Sequence, residues 1–168
     1  MKKIVIIGST GSIGRQTLEV IRCFPDRFKL LGLGAGRNWR LLAEQIKEFR
    51  PSAAALAEER ELLKLKNSLD PSQCPDLAWG QKGMEALAAL PEADLVVVAI
   101  TGAAGIYPTL AAINAGKDVA LANKETLVAA GQLVMGLARQ KNALILPVDS
   151  EHSAVWQCLN GHDPDLIE

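Results

Sequence analysis

The chain contains few cysteines and no block of charge of one sign, and each shortage excludes a class of protein. Its three cysteines, Cys23, Cys74 and Cys158, are odd in number and far apart, which fits neither a disulfide framework nor a zinc ligand set. Lysine and arginine are scattered and the formal net charge is −1, so the electrostatic footprint of a nucleic-acid-binding protein is absent. We therefore expect a reducing, cytoplasmic setting, a small-molecule partner and no nucleic-acid partner.

Long apolar runs are also missing. The N-terminal Met1-Lys2-Lys3 leads straight into the strand-like run at 4–7, which is too short for the core of a signal peptide. No apolar stretch approaches the length needed to cross a bilayer, so we expect no membrane partner. With 168 residues, 49% of them hydrophobic and 22% charged, the chain is long enough for one compact domain and the start of a second.

Short aliphatic runs alternate with segments of helical spacing. The aliphatic runs lack polar alternation, which is typical of strands buried on both faces: 3–7, 28–35, 52–57, 94–100, 118–122 and 143–148. The segments with apolar residues at intervals of three and four predict helices: 13–24, 38–49, 58–69, 83–90, 103–115 and 124–140. We interpret 66–82 as a loop with room for one short strand, and Gly116 as a helix stop. This order predicts the α/β class, with a doubly wound, mostly parallel, Rossmann-like sheet and helices on both faces.

Residues 8–14 read GSTGSIG, directly after the first predicted strand and at the start of the first predicted helix. There, backbone N–H groups converge on a phosphate, and side chains would block its approach. We expect Gly8 to permit a tight turn, Gly11 the approach of a pyrophosphate, and Gly14 close packing of the helix on the strand. The hydroxyl groups between them are further candidate donors: Ser9, Thr10 and Ser12. A plain tight turn is the alternative, but the place of the motif in a βαβ series favours a dinucleotide.

The end of the second predicted strand, GAGRN at 34–38, indicates which dinucleotide is bound. NAD enzymes usually place an acid here to accept the ribose 2′-hydroxyl. This stretch has no acid, and Arg37 lies where its guanidinium can pair with a 2′-phosphate. The pattern favours NADP over NAD. The alternative is a solvent-exposed Arg37 at a helix start, with Asn38 as the N-cap.

Polar residues also follow the last two predicted strands, where open α/β sheets bind ligands. Asp149 and Glu151 are two residues apart in an extended segment, so their carboxylates would project to the same side and favour Mg²⁺ or Mn²⁺. An equally open alternative is that Asp149 caps the next helix and Glu151 lies in its first turn. Lys124 is a candidate to orient a substrate oxygen or is simply solvated, and His152 is more typical of a structural residue.

Four motifs together resemble a known family: GSTGSIG at 8–14, GAGRN at 34–38, ANKE at 122–125 and PVDSEHSA at 147–154. Their order and intervals resemble the 1-deoxy-D-xylulose 5-phosphate reductoisomerase family. The resemblance implies an NADPH-dependent and divalent-metal-dependent isomerisation and reduction of 1-deoxy-D-xylulose 5-phosphate to 2-C-methyl-D-erythritol 4-phosphate, a step of non-mevalonate isoprenoid biosynthesis. Because members of that family are more than twice as long, we expect an N-terminal part that is inactive by itself.

The resemblance also implies site residues and domains. It assigns cofactor binding to Thr10, Gly11, Ser12, Ile13, Gly36, Arg37, Asn38, Asn123 and Glu125. It assigns the metal to Asp149 and Glu151, substrate binding to Lys124, Ser150 and Glu151, and catalytic roles to Lys124, Asp149 and Glu151. Residues 1–148 would form the NADPH-binding domain and 149–168 the start of the metal- and substrate-binding domain. A sugar phosphate substrate and, for the complete protein, a homodimer are implied as well.

Two other functions stay open at this point. Homoserine and semialdehyde dehydrogenases share a glycine-rich first turn, but a semialdehyde dehydrogenase needs a reactive cysteine at the nicotinamide, and Cys158 lies within a helical pattern. A regulatory module that binds NADP without chemistry is the other alternative. Such a module would have no reason to place Asp149 and Glu151 together.

Overall fold

The computed structural model describes residues 1–161, which form one seven-stranded sheet with helices on both faces. The strands are β1 (Lys2–Ile7), β2 (Phe28–Ala35), β3 (Ala53–Leu56), β4 (Asp76–Trp79), β5 (Leu95–Val98), β6 (Asp118–Leu121) and β7 (Ile145–Pro147). Their spatial order is β4-β3-β2-β1-β5-β6-β7, and every neighbouring pair is parallel. The predicted doubly wound α/β fold is therefore confirmed.

Within these described residues, seven α-helices connect or follow the strands: α1 (Ser12–Cys23), α2 (Trp39–Phe49), α3 (Glu59–Ser68), α4 (Gly80–Ala88), α5 (Ile106–Asn114), α6 (Lys124–Lys141) and α7 (Ser150–Leu159). The alternation of side chains along β1 divides the core into two layers. Ile4 and Ile6 pack with α1, α2 and α3 on one face, whereas Val5 and Ile7 pack with α4, α5 and α6 on the other. Each such fully buried aliphatic side chain contributes about 1.5–3 kcal/mol.

The prediction of a loop over 66–82 needs correction. Helix α3 continues to Ser68, a 3₁₀ turn covers Pro71–Gln73, the strand β4 covers Asp76–Trp79, and α4 begins at Gly80. The prediction of one short strand in this segment is confirmed, but most of the segment forms helix or strand and not loop. Its signal was weak because β4 pairs only with β3 and stays partly exposed, so it lacks the apolar run of the inner strands.

The other helices and strands lie where the sequence predicted them, and the strands β3, β5, β6 and β7 are shorter than predicted. Gly116 follows α5 with φ of +70°, in agreement with its expected role as a helix stop. Helix α6 is not straight, because Ala130 has non-helical dihedral angles (φ −136°, ψ 20°). Within the part of the chain that the structure describes, no helix has the length and apolarity to span a bilayer.

The topology brings the carboxyl ends of all seven strands to one edge of the sheet. The order of strand addition reverses between β1 and β5, and ligands of open α/β sheets bind at such a switch point. Helix α7 follows β7 on this edge and has no buried residue. The domain boundary at 148/149 stays a prediction. The last residues of the predicted second domain, 162–168, lie outside the described residues.

Candidate functional site

A cavity of about 680 Å³ opens at the switch point. Its lining comes from the turns after β1, β2, β3, β4 and β5, and includes Thr10, Gly11, Gly36, Ala57, Gln81 and Thr101. The volume is in the range of small-molecule sites, and most of the lining is apolar or backbone. A ligand there would lie across the edge of the sheet and touch the glycine turn.

The conformation of the glycine turn leaves no room for a side chain at positions 8 and 14. Gly8 has φ of +101°, and a Cβ at this position would lie 2.5 Å from the Ala99 carbonyl oxygen. A Cβ on Gly14 would collide with the Gly8 carbonyl oxygen, so α1 can pack on β1 only with glycine there. Gly11 occupies the N-cap of α1 and has no side chain with which to cap it. The first N–H groups of α1 are therefore available to an anion.

The side chains of this turn do not all face the cavity. Thr10 and Gly11 line it. The expectation that the Ser9 hydroxyl is a phosphate donor is wrong, because Ser9 is fully buried and its Oγ donates to Gln45 Oε1 at 2.8 Å. Ser12 is exposed at the first position of α1, and Ile13 lines a separate apolar groove of about 320 Å³.

At the end of β2, Gly36 lines the cavity, and Arg37 and Asn38 lie between it and the start of α2. Asn38 is the N-cap, since its Oδ1 accepts from the Leu41 N–H at 3.2 Å. The Arg37 side chain is 81% exposed, and its Nε donates to Glu58 Oε1 at 2.6 Å. An acid from the turn after β3, Glu58, thus pairs with the guanidinium of Arg37. Sequence reasoning missed Glu58 because the pair joins residues 21 positions apart.

Asn123 connects the loop after β5 to the start of α6. Its side chain is 2% exposed; Nδ2 donates to the carbonyl oxygens of Ile100 at 2.5 Å and Gly102 at 2.8 Å. Its Oδ1 accepts from the Thr126 N–H at 2.8 Å and the Thr126 hydroxyl at 3.1 Å, which caps α6. These four bonds hold a loop that lines the cavity, so Asn123 acts on the site through that loop. Glu125 is exposed in the first turn of α6.

The acids after β7 are paired within the chain. Lys124 Nζ lies 3.2 Å from Glu151 Oε1, and the Ser150 hydroxyl donates to Glu151 Oε2 at 2.9 Å. Asp149 is the N-cap of α7: its Oδ1 accepts from the His152 N–H at 2.8 Å, and both its oxygens lie 2.9 Å from His152 Nδ1. The structure therefore brings Lys124 and Glu151 together, and Asp149 has the helix-cap geometry that was the alternative to a metal ligand.

These contacts keep both carboxylates ionised. Burial would raise the pKa of Asp149, but hydrogen bonds from the His152 N–H and ring, with the charge of that ring, lower it below its ordinary value. The pKa of Glu151 is lowered by hydrogen bonds from its own N–H, from Ser150 and from Lys124. Across residues 1–161, no group of three or more His, Cys, Asp or Glu side chains is arranged to hold a metal ion. Carboxylate oxygens are suitable ligands for a divalent cation, and Asp149 and Glu151 would supply part of its ligand set.

A family model for 1-deoxy-D-xylulose 5-phosphate reductoisomerase matches residues 4–131. The chain belongs to this family. A reductoisomerase from Pelotomaculum thermopropionicum is 71% identical over all 168 residues, which cover 43% of that relative. The chain thus spans less than half the length of this reductoisomerase.

Solved reductoisomerases share the fold closely. The Zymomonas mobilis enzyme in complex with NADPH has a TM-score of 0.91 and 40% identity, over 98% of this chain and 43% of that one. A reductoisomerase in complex with NADPH, fosmidomycin and magnesium has a TM-score of 0.91 and 38% identity, over 96% of this chain and 40% of that one. A homoserine dehydrogenase from Thiobacillus denitrificans reaches a TM-score of 0.51 at 24% identity over 86% of this chain and 28% of that one, which shows a common fold alone.

Proposed function

We propose that this chain is the NADPH-binding part of a reductoisomerase that converts 1-deoxy-D-xylulose 5-phosphate into 2-C-methyl-D-erythritol 4-phosphate. The observation that carries the proposal is the cavity at the switch point, lined by the glycine turn and placed beside the start of α1. Membership of the reductoisomerase family supplies the reaction. Because the chain covers 43% of its Pelotomaculum relative, the activity and substrate of the whole protein are part of this proposal.

The cofactor would bind with its pyrophosphate against the glycine turn. Thr10 and Gly11 line the cavity there, and the positive end of the α1 dipole favours the negative charge. The backbone of Ser12 and Ile13 would complete this side. At the other end, Gly36 permits close approach, Asn38 caps α2, and the exposed Arg37 would pair with the 2′-phosphate. NADPH is also the cofactor of the solved Zymomonas relative.

The nicotinamide end would lie toward the loop that Asn123 holds, with Glu125 at the start of α6. Bound NADPH supplies the hydride for the reduction. Lys124 follows on the same edge and would orient an oxygen of the sugar phosphate. The contact of Lys124 with Glu151 supports this proposal, because it sets the lysine that would bind the substrate beside one of the acids that would bind the metal.

Asp149 and Glu151 would provide oxygen ligands to a divalent cation, and Ser150 with Glu151 would contact the substrate. A bound metal would act as a Lewis acid that stabilises negative charge on the substrate oxygens. Carboxylates favour Mg²⁺ or Mn²⁺ over softer ions, and a solved relative contains magnesium. In binding the metal, the carboxylates would exchange their contacts with Lys124 and His152 for the cation. We also propose that the complete protein is a cytoplasmic homodimer whose second domain starts at Asp149.

Calorimetric titration of the chain with NADPH and NADH tests the cofactor assignment. We expect the wild type to prefer NADPH. Arg37→Ala should lower NADPH affinity about 10- to 100-fold, the usual contribution of a charged hydrogen bond, and leave NADH affinity within about twofold. Arg139→Ala removes the same charge from the end of α6 and is the matched control. An unchanged NADPH to NADH ratio in Arg37→Ala would refute the 2′-phosphate assignment.

A further inference from the structure

The buried polar side chains of residues 1–161 fall into two groups. Thr109, Asn123 and Thr126 surround the loop after β5, which belongs to the site described above. Ser9 and Gln45 form the second group, 0% and 5% exposed. They join the glycine turn to the middle of α2, and nothing in the proposed binding of NADPH uses Gln45 directly.

The two residues exchange a pair of hydrogen bonds. The Ser9 hydroxyl donates to Gln45 Oε1 at 2.8 Å, and Gln45 Nε2 donates to the Ser9 carbonyl oxygen at 3.0 Å. One amide group therefore binds both the side chain and the backbone of the same turn residue. The bonds hold the turn through a side chain that is 36 positions away in the sequence.

An amide is an unusual choice for this position on α2. Its neighbours on the same helix face, Leu42 and Ile46, are 0% and 1% exposed. Burial of an amide is unfavourable unless its hydrogen bonds are restored, whereas leucine or methionine would simply fill the space. Gln45 therefore contributes geometry to the turn in addition to packing. A polar residue inside the apolar stripe of a predicted helix is the sequence signal that would have revealed it.

The geometry that Gln45 determines is the orientation of the peptide between Ser9 and Thr10. In a trans peptide the carbonyl and the following N–H point in opposite directions. With the Ser9 carbonyl directed at Gln45, the Thr10 N–H is directed away from α2, and Thr10 lines the cavity. Within the described turn, the N–H groups of Gly8 and Ser9 donate to Gly34 and that of Gly11 donates to Gly8, so the Thr10 N–H stands apart from these bonds.

We propose that Gln45 is a positioning residue for the cofactor: by holding the Ser9 carbonyl, it keeps the Thr10 N–H directed at the phosphate groups of the dinucleotide. The inference rests on the proposed binding of NADPH. It assigns Gln45 to the pyrophosphate end of the ligand and not to the 2′-phosphate end. Replacement of Gln45 should therefore lower the affinities for NADPH and NADH by the same factor.

Calorimetric titration with NADPH, NADH and adenosine 2′-monophosphate separates this role from a general structural one. Gln45→Met fills the space but cannot donate to the Ser9 carbonyl, and we expect it to lower the affinity for both dinucleotides roughly 10- to 100-fold. Adenosine 2′-monophosphate has no pyrophosphate, so its affinity should stay within about twofold of wild type. Ser9→Ala is the matched variant: it keeps the bond from Gln45 to the Ser9 carbonyl and should lose less than about threefold in NADPH affinity.

Three results would overturn the inference while wild-type NADPH binding stands. The first is an unchanged NADPH affinity in Gln45→Met. The second is a loss of affinity for adenosine 2′-monophosphate in Gln45→Met as large as its loss for NADPH. The third is a loss of NADPH affinity in Ser9→Ala as large as that in Gln45→Met. If Gln45→Met does not fold, NMR of the wild-type chain tests the proposal instead. The Thr10 amide proton should shift far downfield on saturation with NADPH, and the absence of this shift would refute the proposal. Failure of the wild-type chain to bind either dinucleotide would refute the proposed function and this inference with it.

Discussion

The two ends of the candidate site are built in different ways. At the glycine turn, backbone atoms and buried side chains determine the geometry, and Ser9 is 0% exposed. At the acidic end, Glu151 and Lys124 meet with side chains that are 65% and 54% exposed. Buried hydrogen bonds resist change because a lost partner leaves a polar group without water, whereas exposed ion pairs contribute only about 0–1 kcal/mol. The glycine turn is thus formed in advance, and the exposed Lys124–Glu151 pair at the acidic end can exchange its partners for a ligand.

The sharpest test of this difference is Gly14→Val. The new side chain would collide with the Gly8 carbonyl and with the Ser9 backbone, neither of which can move without opening the turn. We expect a loss of about 3 kcal/mol in the free energy of unfolding, measured in urea, and loss of NADPH binding.

Gly136→Ala is the matched control for that substitution. Gly136 lies in α6, and a Cβ there would meet nothing within 4 Å, so alanine should be neutral or stabilise the chain by up to about 1 kcal/mol. Equal stabilities for Gly14→Val and Gly136→Ala would show that the turn is not held by close packing.

The second prediction concerns the loop after β5. Asn123→Leu removes the cap of α6 and leaves the carbonyl oxygens of Ile100 and Gly102 without their donor. We expect a loss of about 2–3 kcal/mol in the free energy of unfolding, because buried groups lose their partners. Asn38→Ala removes an exposed cap that makes one such bond and should cost about 1 kcal/mol. If the two substitutions cost the same, Asn123 is a helix cap and not a clamp on the loop.

The same contrast explains what could be predicted from the sequence. The inner strands, the helices and the place of the glycine turn were predictable because continuous apolar runs and helical spacing are local patterns. The edge strand β4 was obscured because it is half exposed. The contacts of Arg37 with Glu58, of Lys124 with Glu151 and of Ser9 with Gln45 join residues 21, 27 and 36 positions apart. They depend on which helices the sheet brings together, so a local pattern can mark Gln45 as unusual within its helix but cannot reveal the partner of any of these residues.

The acidic end was predictable only as a pair of alternatives. The sequence shows that Asp149 and Glu151 follow a strand, and this agrees both with a metal site and with a helix start. The structure has the cap geometry, since Asp149 accepts from the His152 N–H. The Asp149 side chain is only 10% exposed, so in turning to a cation it would give up its bonds to the His152 N–H and ring. Metal affinity, and not stability, is the measurement that distinguishes the two uses.

The smallest effect on stability is therefore expected from Asp149→Asn. Asparagine also caps helices but lacks the charge that faces the His152 ring, so the free energy of unfolding should fall by less than about 1 kcal/mol. Affinity for Mn²⁺, measured by electron paramagnetic resonance with NADPH present, should nevertheless fall at least about tenfold, because a neutral amide is a weaker ligand than a carboxylate. Glu92→Gln makes the same change of charge near the amino end of β5 and should leave Mn²⁺ affinity unchanged. Equal affinities in all three proteins would mean that Asp149 serves only as the cap of α7, and its contacts would then be as fixed as those of the buried turn.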